Sequence, residues 1–270
     1  MTVTLITGAS DGIGAEMARQ IAARQGAQAQ LVLAGRSQEK LDAVTAQCRE
    51  RGAQAIGIAM DVAQDAQCRA LVASAIERFG RLDGLVNNAG ISAQALFEDV
   101  KAEDLGWYED LMRVNLWGAV WCTHAALPHL KQSKGRIVAV GSLAGLVGVP
   151  GRTAYSATKF AMTGFFEALR AELKSAGVSV TTAYPGVVAT QIRYRGYNAQ
   201  GQPAGSSGLK EDDMMSVEEC ARLIVDGMER RQREVVMTAK GKLGRFMKLL
   251  VPGVVENMAL AALKQDVRPH

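Results

Sequence analysis

The chain has 270 residues, of which 48% are hydrophobic and 21% charged, and its formal net charge at pH 7 is +4. This length and composition suit one α/β domain with an ample core, and no Pro/Ser-rich linker divides the sequence. The positive surplus is too small and too dispersed to predict nucleic-acid binding. The four cysteines are widely spaced without a Cys-x-x-Cys pair, so neither a metal site nor a disulfide framework is expected.

A cytoplasmic location is expected from three further features. The first β-rich run begins at Thr2, which leaves no room for a signal peptide, and no apolar run reaches the ~20 residues that span a bilayer. Cysteines without partners are typical of a reducing compartment.

A glycine-rich turn follows the first predicted strand, Thr2–Thr7. The sequence GASDGIG contains Gly8, Gly12 and Gly14 and leads into a helical pattern that ends at Gly26. Glycines at such a turn let the backbone approach a pyrophosphate, whose charge is favoured at the helix N-terminus. Tight turns also need glycine for steric reasons alone, so the motif gains weight mainly from its place after the first strand.

The end of the second predicted strand, Gln30–Ala34, bears on the choice of cofactor. In dinucleotide-binding folds an acidic residue here binds the ribose 2′-hydroxyl, whereas a nearby arginine accommodates a 2′-phosphate. Gly35 stands where the acid is expected and Arg36 follows it, which favours NADPH over NADH. The alternative is that Arg36 merely starts the next helix from a solvated position.

Polar and small residues follow the next two predicted strands, Ala55–Met60 and Leu85–Val86. Asp61 is placed to meet an adenine amino group, to cap a helix starting near Ala63, or to do both. The sequence NNAG at 87–90 lets a cofactor lie against the backbone, and its asparagines are expected to tie neighbouring strand ends together.

A long helix is predicted from Leu105 to Gln132, with Asn115 inside it among apolar residues. Because asparagine is a mediocre helix former, its buried amide needs a partner. That partner is either the backbone of the core or a water on the way to Lys159.

A serine and a Tyr-x-x-x-Lys pair follow the predicted strand Arg136–Val140. Tyr155 and Lys159 lie on one helix face, so the ammonium can approach the phenol and lower its pKa from about 10 towards the range of general acid–base catalysis. Ser142, at the strand end, can hydrogen-bond a carbonyl or alcohol oxygen. A surface tyrosine beside a solvated lysine gives the same spacing.

The alternation of strands and helices continues through Ser179–Ala183, which precedes the sequence YPGVVAT. It predicts an α/β fold, a Rossmann-like doubly wound parallel sheet in a single domain with helices on both faces. The ligand crevice should lie at the carboxyl ends of the strands, and each of these candidate residues is placed at such an end or on a helix that leaves one.

These motifs, in order and spacing, resemble the short-chain dehydrogenase/reductase family over residues 2–190. The resemblance rests on TGASDGIG, NNAG, Asn115, Ser142, YSATK and PGVVAT. It implies that Tyr155 is the general acid/base, that Lys159 lowers its pKa and binds the nicotinamide ribose, that Ser142 orients the substrate oxygen, and that Asn115 anchors a proton-relay water.

The resemblance also assigns residues to a nicotinamide cofactor. They are Gly8, Ser10, Asp11, Gly12, Ile13, Gly14, Arg36, Asp61, Val62, Asn88, Ala89, Gly90, Tyr155, Lys159, Pro185, Gly186, Val188 and Thr190. NADP-users of the family often have a basic residue where this chain has Asp11. Arg36 is therefore expected to carry the preference for NADP(H) largely by itself.

The remaining segments bear on the substrate. Residues 191–215 are predicted to be a lid that completes a catalytic domain over 1–239, and residues 240–270 form an extension that mixes basic and apolar positions. The extension can pack on its own domain, on a partner subunit or on a membrane surface. Packing is favoured because the apolar residues are too few for firm anchoring.

The lid and extension bear a looser resemblance to the 11β-hydroxysteroid-dehydrogenase-like branch of the family. That resemblance implies a bulky lipophilic ketone or alcohol, and the family as a whole implies a homodimer or homotetramer. A 3-ketoacyl thioester is the alternative substrate. A non-catalytic NADPH-binding sensor is disfavoured, because the intact set of Asn115, Ser142, Tyr155 and Lys159 has no evident purpose without chemistry.

Overall fold

Strands and helices alternate along residues 1–205 and 214–266, which are the residues that the computed structural model of the protein describes. Their strands form one parallel sheet in the order β3-β2-β1-β4-β5-β6-β7, which confirms the predicted α/β doubly wound class. The strands are β1 Thr2–Thr7, β2 Ala29–Gly35, β3 Gln54–Ala59, β4 Gly84–Asn87, β5 Arg136–Val140, β6 Ser179–Tyr184 and β7 Glu234–Val236.

Helices cover both faces of this sheet. They are α1 Gly12–Gln25, α2 Gln38–Glu50, α3 Asp65–Phe79, α4 Gly106–Met112, α5 Gly118–Ser133, α6 Thr153–Glu172, α7 Val217–Glu229, α8 Ala239–Leu250 and α9 Pro252–Asp266. Side chains of α1, α2 and α7 pack in one apolar cluster with the strands, and those of α3, α5 and α6 pack in another. This is why the strands read as continuous apolar runs: all seven residues of β2 are buried.

Two element boundaries differ from the predictions. The predicted long helix is present, but one turn of π-helix, Arg113–Trp117, separates α4 from α5. The helix after Asp61 begins only at Asp65, so Asp61 is not its N-cap. β7 ends at Val236 because Thr238 caps α8, where its Oγ1 accepts a hydrogen bond from the Gly241 N–H at 2.9 Å.

The C-terminal extension forms α8 and α9, and both contact the rest of the same chain. Lys248 donates to the Leu146 carbonyl at 3.1 Å, and its ammonium lies 4.6 Å from the centroid of the Phe160 ring. Arg245 pairs with Glu234 at the start of β7. Three surfaces were considered for the extension: its own domain, a partner subunit and a membrane. These contacts show that it packs on its own domain.

The outward side of the extension is apolar. Phe246, Leu249, Leu250 and Met258 are each at least 63% exposed. In the part of the chain that the structure describes, no helix combines the length and the hydropathy needed to cross a bilayer.

Candidate active site

A cleft of about 1670 Å³ opens along the carboxyl ends of the strands. It lies between β1 and β4, where the strand order changes direction: β2 and β3 follow on one side of β1, and β5 to β7 follow on the far side of β4. Parallel α/β sheets bind their ligands at such a switch point. Most of the predicted site residues line it: Gly8, Ser10, Asp11, Gly12, Ile13, Arg36, Asp61, Val62, Asn88, Ala89, Gly90, Ser142, Tyr155, Lys159, Pro185, Gly186, Val188 and Thr190. Gly14 and Asn115 are not among the lining residues, and both are placed behind the wall.

The glycine-rich turn leaves no room for side chains at two of its positions. Gly8 has φ +65°, and a Cβ on it would lie 2.8 Å from the Ala89 Cα. A Cβ on Gly14 would lie 2.3 Å from the Gly8 carbonyl oxygen, so this glycine lets α1 pack against the turn. The result is a bare backbone cradle at the N-terminus of α1, which fits the pyrophosphate of a dinucleotide.

Hydrogen bonds join the ends of β1 and β4, as predicted for the asparagines. The Asn88 side chain donates to the Thr7 and Gly8 carbonyls at 3.0 and 3.1 Å. The Thr7 hydroxyl accepts from the backbone N–H groups of Asn88 and Ala89, both at 3.1 Å. This network fixes the floor of the cleft between the two strands.

Asp61 lies at the end of β3, where its Oδ1 accepts a hydrogen bond from the Ala63 N–H at 2.9 Å. It therefore caps the turn that precedes α3 rather than the helix itself. The neighbouring Val62 packs closely against Gly118. A Cβ on that glycine would lie 2.8 Å from the Val62 Cβ, so only a glycine permits this contact.

Arg36 follows β2 at the same end of the cleft. It is exposed, and it forms no hydrogen bond or ion pair with another residue of the described ranges. Its positive charge acts on Tyr197: burial raises the pKa of the Tyr197 phenol, and the charge of Arg36 opposes that rise. The guanidinium therefore faces the cleft while keeping its donors available.

Asp11, at the start of α1, contacts one backbone N–H and two cationic side chains. Its Oδ1 accepts from the Gly12 N–H at 2.8 Å, which caps the helix. Its Oδ2 lies 2.9 Å from Arg195 Nη1 and 3.7 Å from Lys40 Nζ. Neither ion pair was predicted from the sequence.

Ser142 and Tyr155 meet on the opposite wall. Ser142 follows β5 and caps a short 3₁₀ turn, where its Oγ accepts from the Ala144 N–H at 3.2 Å. Tyr155 lies in the first turn of α6. Burial raises its pKa above the ordinary value, and a hydrogen bond with Ser142 and the charge of Arg152 oppose that rise.

Lys159 is 4% exposed, and its ammonium donates to the Val140 carbonyl at 3.0 Å. Burial lowers its pKa to about 8. Its Nζ lies 5.7 Å from the centroid of the Tyr155 ring. The ammonium therefore donates to the end of β5 while it lies beside the Tyr155 ring, and the lowering of the Tyr155 pKa by Lys159 stays a prediction.

Asn115 lies in the π-helical turn and is fully buried. Its side chain exchanges two hydrogen bonds with the Ile91 backbone, at 2.8 and 2.9 Å, and donates to Thr158 at 3.0 Å. The predicted backbone partner is thus present. A Cβ on Gly90 would lie 3.1 Å from Asn115 Oδ1 and 3.7 Å from Lys159 Nζ, so both side chains reach the same small residue.

The predicted lid is described at residues 191–205 and 214–215, and its residues 206–213 lie outside the described residues. The described part borders the cleft, with Ile192, Tyr197 and Met214 among the lining residues, and its role as a lid stays a prediction.

Two residues of α9, Ala259 and Leu263, also line the cleft and were not predicted to do so. No local pattern marks them, because their position depends on how α9 folds back over the domain. Within 1–205 and 214–266, no three His, Cys, Asp or Glu side chains are grouped as metal ligands.

Comparisons with known proteins agree with this geometry. The family described as short chain dehydrogenase matches residues 2–200. The chain is 36% identical over 261 residues to 11-beta-hydroxysteroid dehydrogenase 1A of Arabidopsis thaliana, covering 94% of this chain and 73% of that protein. It is 39% identical over 227 residues to 11-beta-hydroxysteroid dehydrogenase-like 4A of the same plant, covering 84% and 73% respectively.

Two solved structures share the fold. One is a short chain dehydrogenase/reductase from Burkholderia phymatum in complex with NAD, with a TM-score of 0.79, 24% identity and 94% of both chains covered. The other is an alcohol dehydrogenase from the archaeon Thermococcus sibiricus complexed with 5-hydroxy-NADP, with a TM-score of 0.71, 25% identity, and 87% of this chain and 94% of that chain covered. The chain therefore belongs to the short-chain dehydrogenase/reductase family, whose members are oxidoreductases that use NAD or NADP.

Proposed function

We propose that the protein is an NADP(H)-dependent oxidoreductase that acts on the carbonyl or alcohol group of a bulky, lipophilic substrate. One observation carries the proposal: the Ser142 and Tyr155 hydroxyls meet on the wall of the cleft whose other end is the bare glycine cradle. A substrate oxygen placed between these hydroxyls lies within reach of a cofactor that occupies the cradle.

The protein's own residues then handle the oxygen and its proton. When bound, the nicotinamide supplies or accepts the hydride. Ser142 and Tyr155 donate hydrogen bonds to the substrate oxygen, and Tyr155 gives it a proton during reduction. Lys159, with a pKa of about 8, keeps its ammonium at neutral pH and holds positive charge behind the phenol. The proton-relay water at Asn115 stays a prediction.

The preference for NADP(H) is supported by the surroundings of Gly35. A Cβ at this position would lie 2.8 Å from Ser10 Oγ, so the acidic side chain that would bind a ribose 2′-hydroxyl would require Ser10 to move. Arg36, the next residue, lines the cleft with its guanidinium available. Both features suit a 2′-phosphate better than a 2′-hydroxyl.

A bulky substrate is supported by the size and lining of the cleft. Its volume of about 1670 Å³ exceeds the roughly 300–1,000 Å³ of ordinary ligand sites, so space remains beside a dinucleotide. Leu143, Val149, Ile192 and Leu263 give part of that space an apolar wall. The plant relatives carry the name 11-beta-hydroxysteroid dehydrogenase, which is consistent with this class.

The test is turnover of the purified protein with NADPH or NADH on two substrate panels, one of bulky cyclic ketones and one of 3-ketoacyl thioesters. Tyr155→Phe should keep cofactor affinity and lower turnover by at least ~10³-fold, since it removes both the proton donor and an oxyanion donor. Tyr108→Phe is the matched control, because that hydroxyl bonds Thr153 and does not line the cleft.

The outcomes separate the alternatives. Reduction of the ketones alone supports the proposal, and reduction of the thioesters alone assigns the alternative substrate. Cofactor binding without turnover on either panel would indicate a sensor. Full activity in Tyr155→Phe would contradict the catalytic assignment.

Assembly into a homodimer or homotetramer is part of the proposal. It is supported by apolar side chains on the helices around the site: Trp117 is 47% exposed and stacks on Trp121 at 5.9 Å between ring centroids, and Phe160 is 36% exposed. A cytoplasmic location is supported by the four cysteines, which are all unpaired and buried.

A further inference from the structure

Asp11 holds two cations that come from distant parts of the chain. Arg195, beyond Thr190 in the predicted lid, approaches Asp11 Oδ2 to 2.9 Å, and Lys40, in the first turn of α2, approaches the same oxygen to 3.7 Å. Burial raises the pKa of Asp11, but hydrogen bonds from Arg195 and the Gly12 N–H outweigh it and lower the pKa overall. The carboxylate is therefore ionised at neutral pH and fixes both cations beside the start of α1.

This cluster lies at the end of the cleft formed by the turns after β1, β2 and β3. Arg195 and Lys40 pair with the Asp11 carboxylate, and Arg36 lines the same cleft as Asp11 and Arg195. Asp61 also lines the cleft and accepts the Ala63 N–H, so the three cations outnumber the two carboxylates of Asp11 and Asp61. The cluster has an excess of positive charge that no residue in it neutralises.

A phosphate monoester matches this excess. It carries about −1.5 to −2 charge at pH 7 and accepts several hydrogen bonds. The ion pairs that hold Arg195 and Lys40 are half-exposed, with 53%, 50% and 44% of the Arg195, Lys40 and Asp11 side chains accessible, so exchanging the carboxylate for a phosphate costs little. A ribose 2′-hydroxyl is neutral, so it would not balance the positive charge of the cluster.

We propose that Arg195 and Lys40 bind the 2′-phosphate of NADP(H) together with Arg36, and that Asp11 holds them in place beforehand. The inference rests on the proposed preference for NADP(H). It differs from the expectation that Arg36 carries that preference largely by itself. The proposal also links the cofactor-binding end of the cleft to the substrate-binding end, because Arg195 belongs to the predicted lid over the substrate.

The test is a fluorescence titration of the full chain with NADPH and NADH, and a competition with 2′,5′-ADP and 5′-AMP. The variants are Arg195→Gln and Lys40→Gln. Their matched controls are Arg230→Gln and Lys131→Gln, which remove the same charges from exposed positions on α7's end and α5. Each site variant should weaken NADPH and 2′,5′-ADP on the order of fivefold, as expected for a half-exposed charged contact.

Binding of NADH and 5′-AMP should not change in either site variant. Arg195→Lys, which keeps the charge, should lose less than Arg195→Gln.

Three results would overturn the inference. If the wild type prefers NADPH and both site variants keep its full affinity for 2′,5′-ADP, the inference fails and the proposed function survives. If both variants weaken NADH as much as NADPH, the two residues support the fold rather than the phosphate. If the wild type binds NADPH and NADH equally, the proposed preference itself is wrong.

Discussion

Replacement of Lys159 by methionine should make the protein more stable at pH 7. The side chain is 4% exposed, and burial lowers its pKa from the usual 10.5 to about 8. Since each pKa unit corresponds to about 1.4 kcal/mol, the buried ammonium costs the folded state about 3 kcal/mol at neutral pH. Loss of the hydrogen bond to the Val140 carbonyl offsets about 1 kcal/mol, which leaves a net gain of about 2 kcal/mol.

The sign of the pH dependence follows from the same two pKa values. Between pH 8 and 10.5 the unfolded chain binds a proton at Lys159 that the folded chain has released, so wild-type stability rises with pH across this window. The advantage of Lys159→Met is therefore complete below pH 8 and disappears by pH 10.5.

Differential scanning calorimetry at pH 7 and pH 10 measures both effects. A gain of about 2 kcal/mol should raise the Tm at pH 7 by roughly 4–8 °C for a chain of this size. Lys131→Met, an exposed lysine on α5, should show no comparable gain. A variant that is less stable than the wild type at pH 7, or a gain that is the same at both pH values, would refute the reasoning.

Two further stability predictions concern the floor and the helices of the site. Gly118→Ala should cost roughly 1–3 kcal/mol, because its Cβ would meet the backbone and side chain of Val62 at 2.8 Å, whereas Gly244→Ala in α8, with open space around it, should gain up to about 1 kcal/mol. Urea unfolding measures both, and equal effects would contradict the close contact at Val62. Thr7→Val should cost about 2 kcal/mol, because its hydroxyl accepts two N–H groups at the end of β4, and it should also weaken NADPH binding. Hydrogen exchange at the Asn88 amide checks this directly, and unchanged protection would argue against it.

The part of the site that the sequence predicts well is the part fixed by backbone geometry. Gly8, Gly14 and Asn88 have roles that follow from strand-to-helix turns in a parallel sheet, where few residue types fit. Once the strands were placed, their carboxyl ends had to converge, and so did the side chains that follow them. Ser142 and Tyr155 follow the carboxyl end of one strand, so the strand order alone places them in the same cleft.

The remaining features depend on contacts between distant residues. The ion pair between Asp11 and Arg195 joins positions on either side of the cleft, and nothing local in either segment indicates it. The spacing of Tyr155 and Lys159 places them on one helix face, yet spacing does not show that the ammonium turns to the Val140 carbonyl. Burial, which sets both of their pKa values, is a property of the whole fold.

The wall that α9 adds to the cleft separates the determinants of specificity from those of folding. Ala259 and Leu263 face the cleft from a helix that comes after the last strand, so no strand depends on their side chains. The glycine cradle has the opposite character, because a methyl group on Gly14 would clash with the backbone. Mutational drift, or a directed-evolution library, can therefore diversify positions 259 and 263 to accept new substrates while the inherited nucleotide-binding framework stays intact.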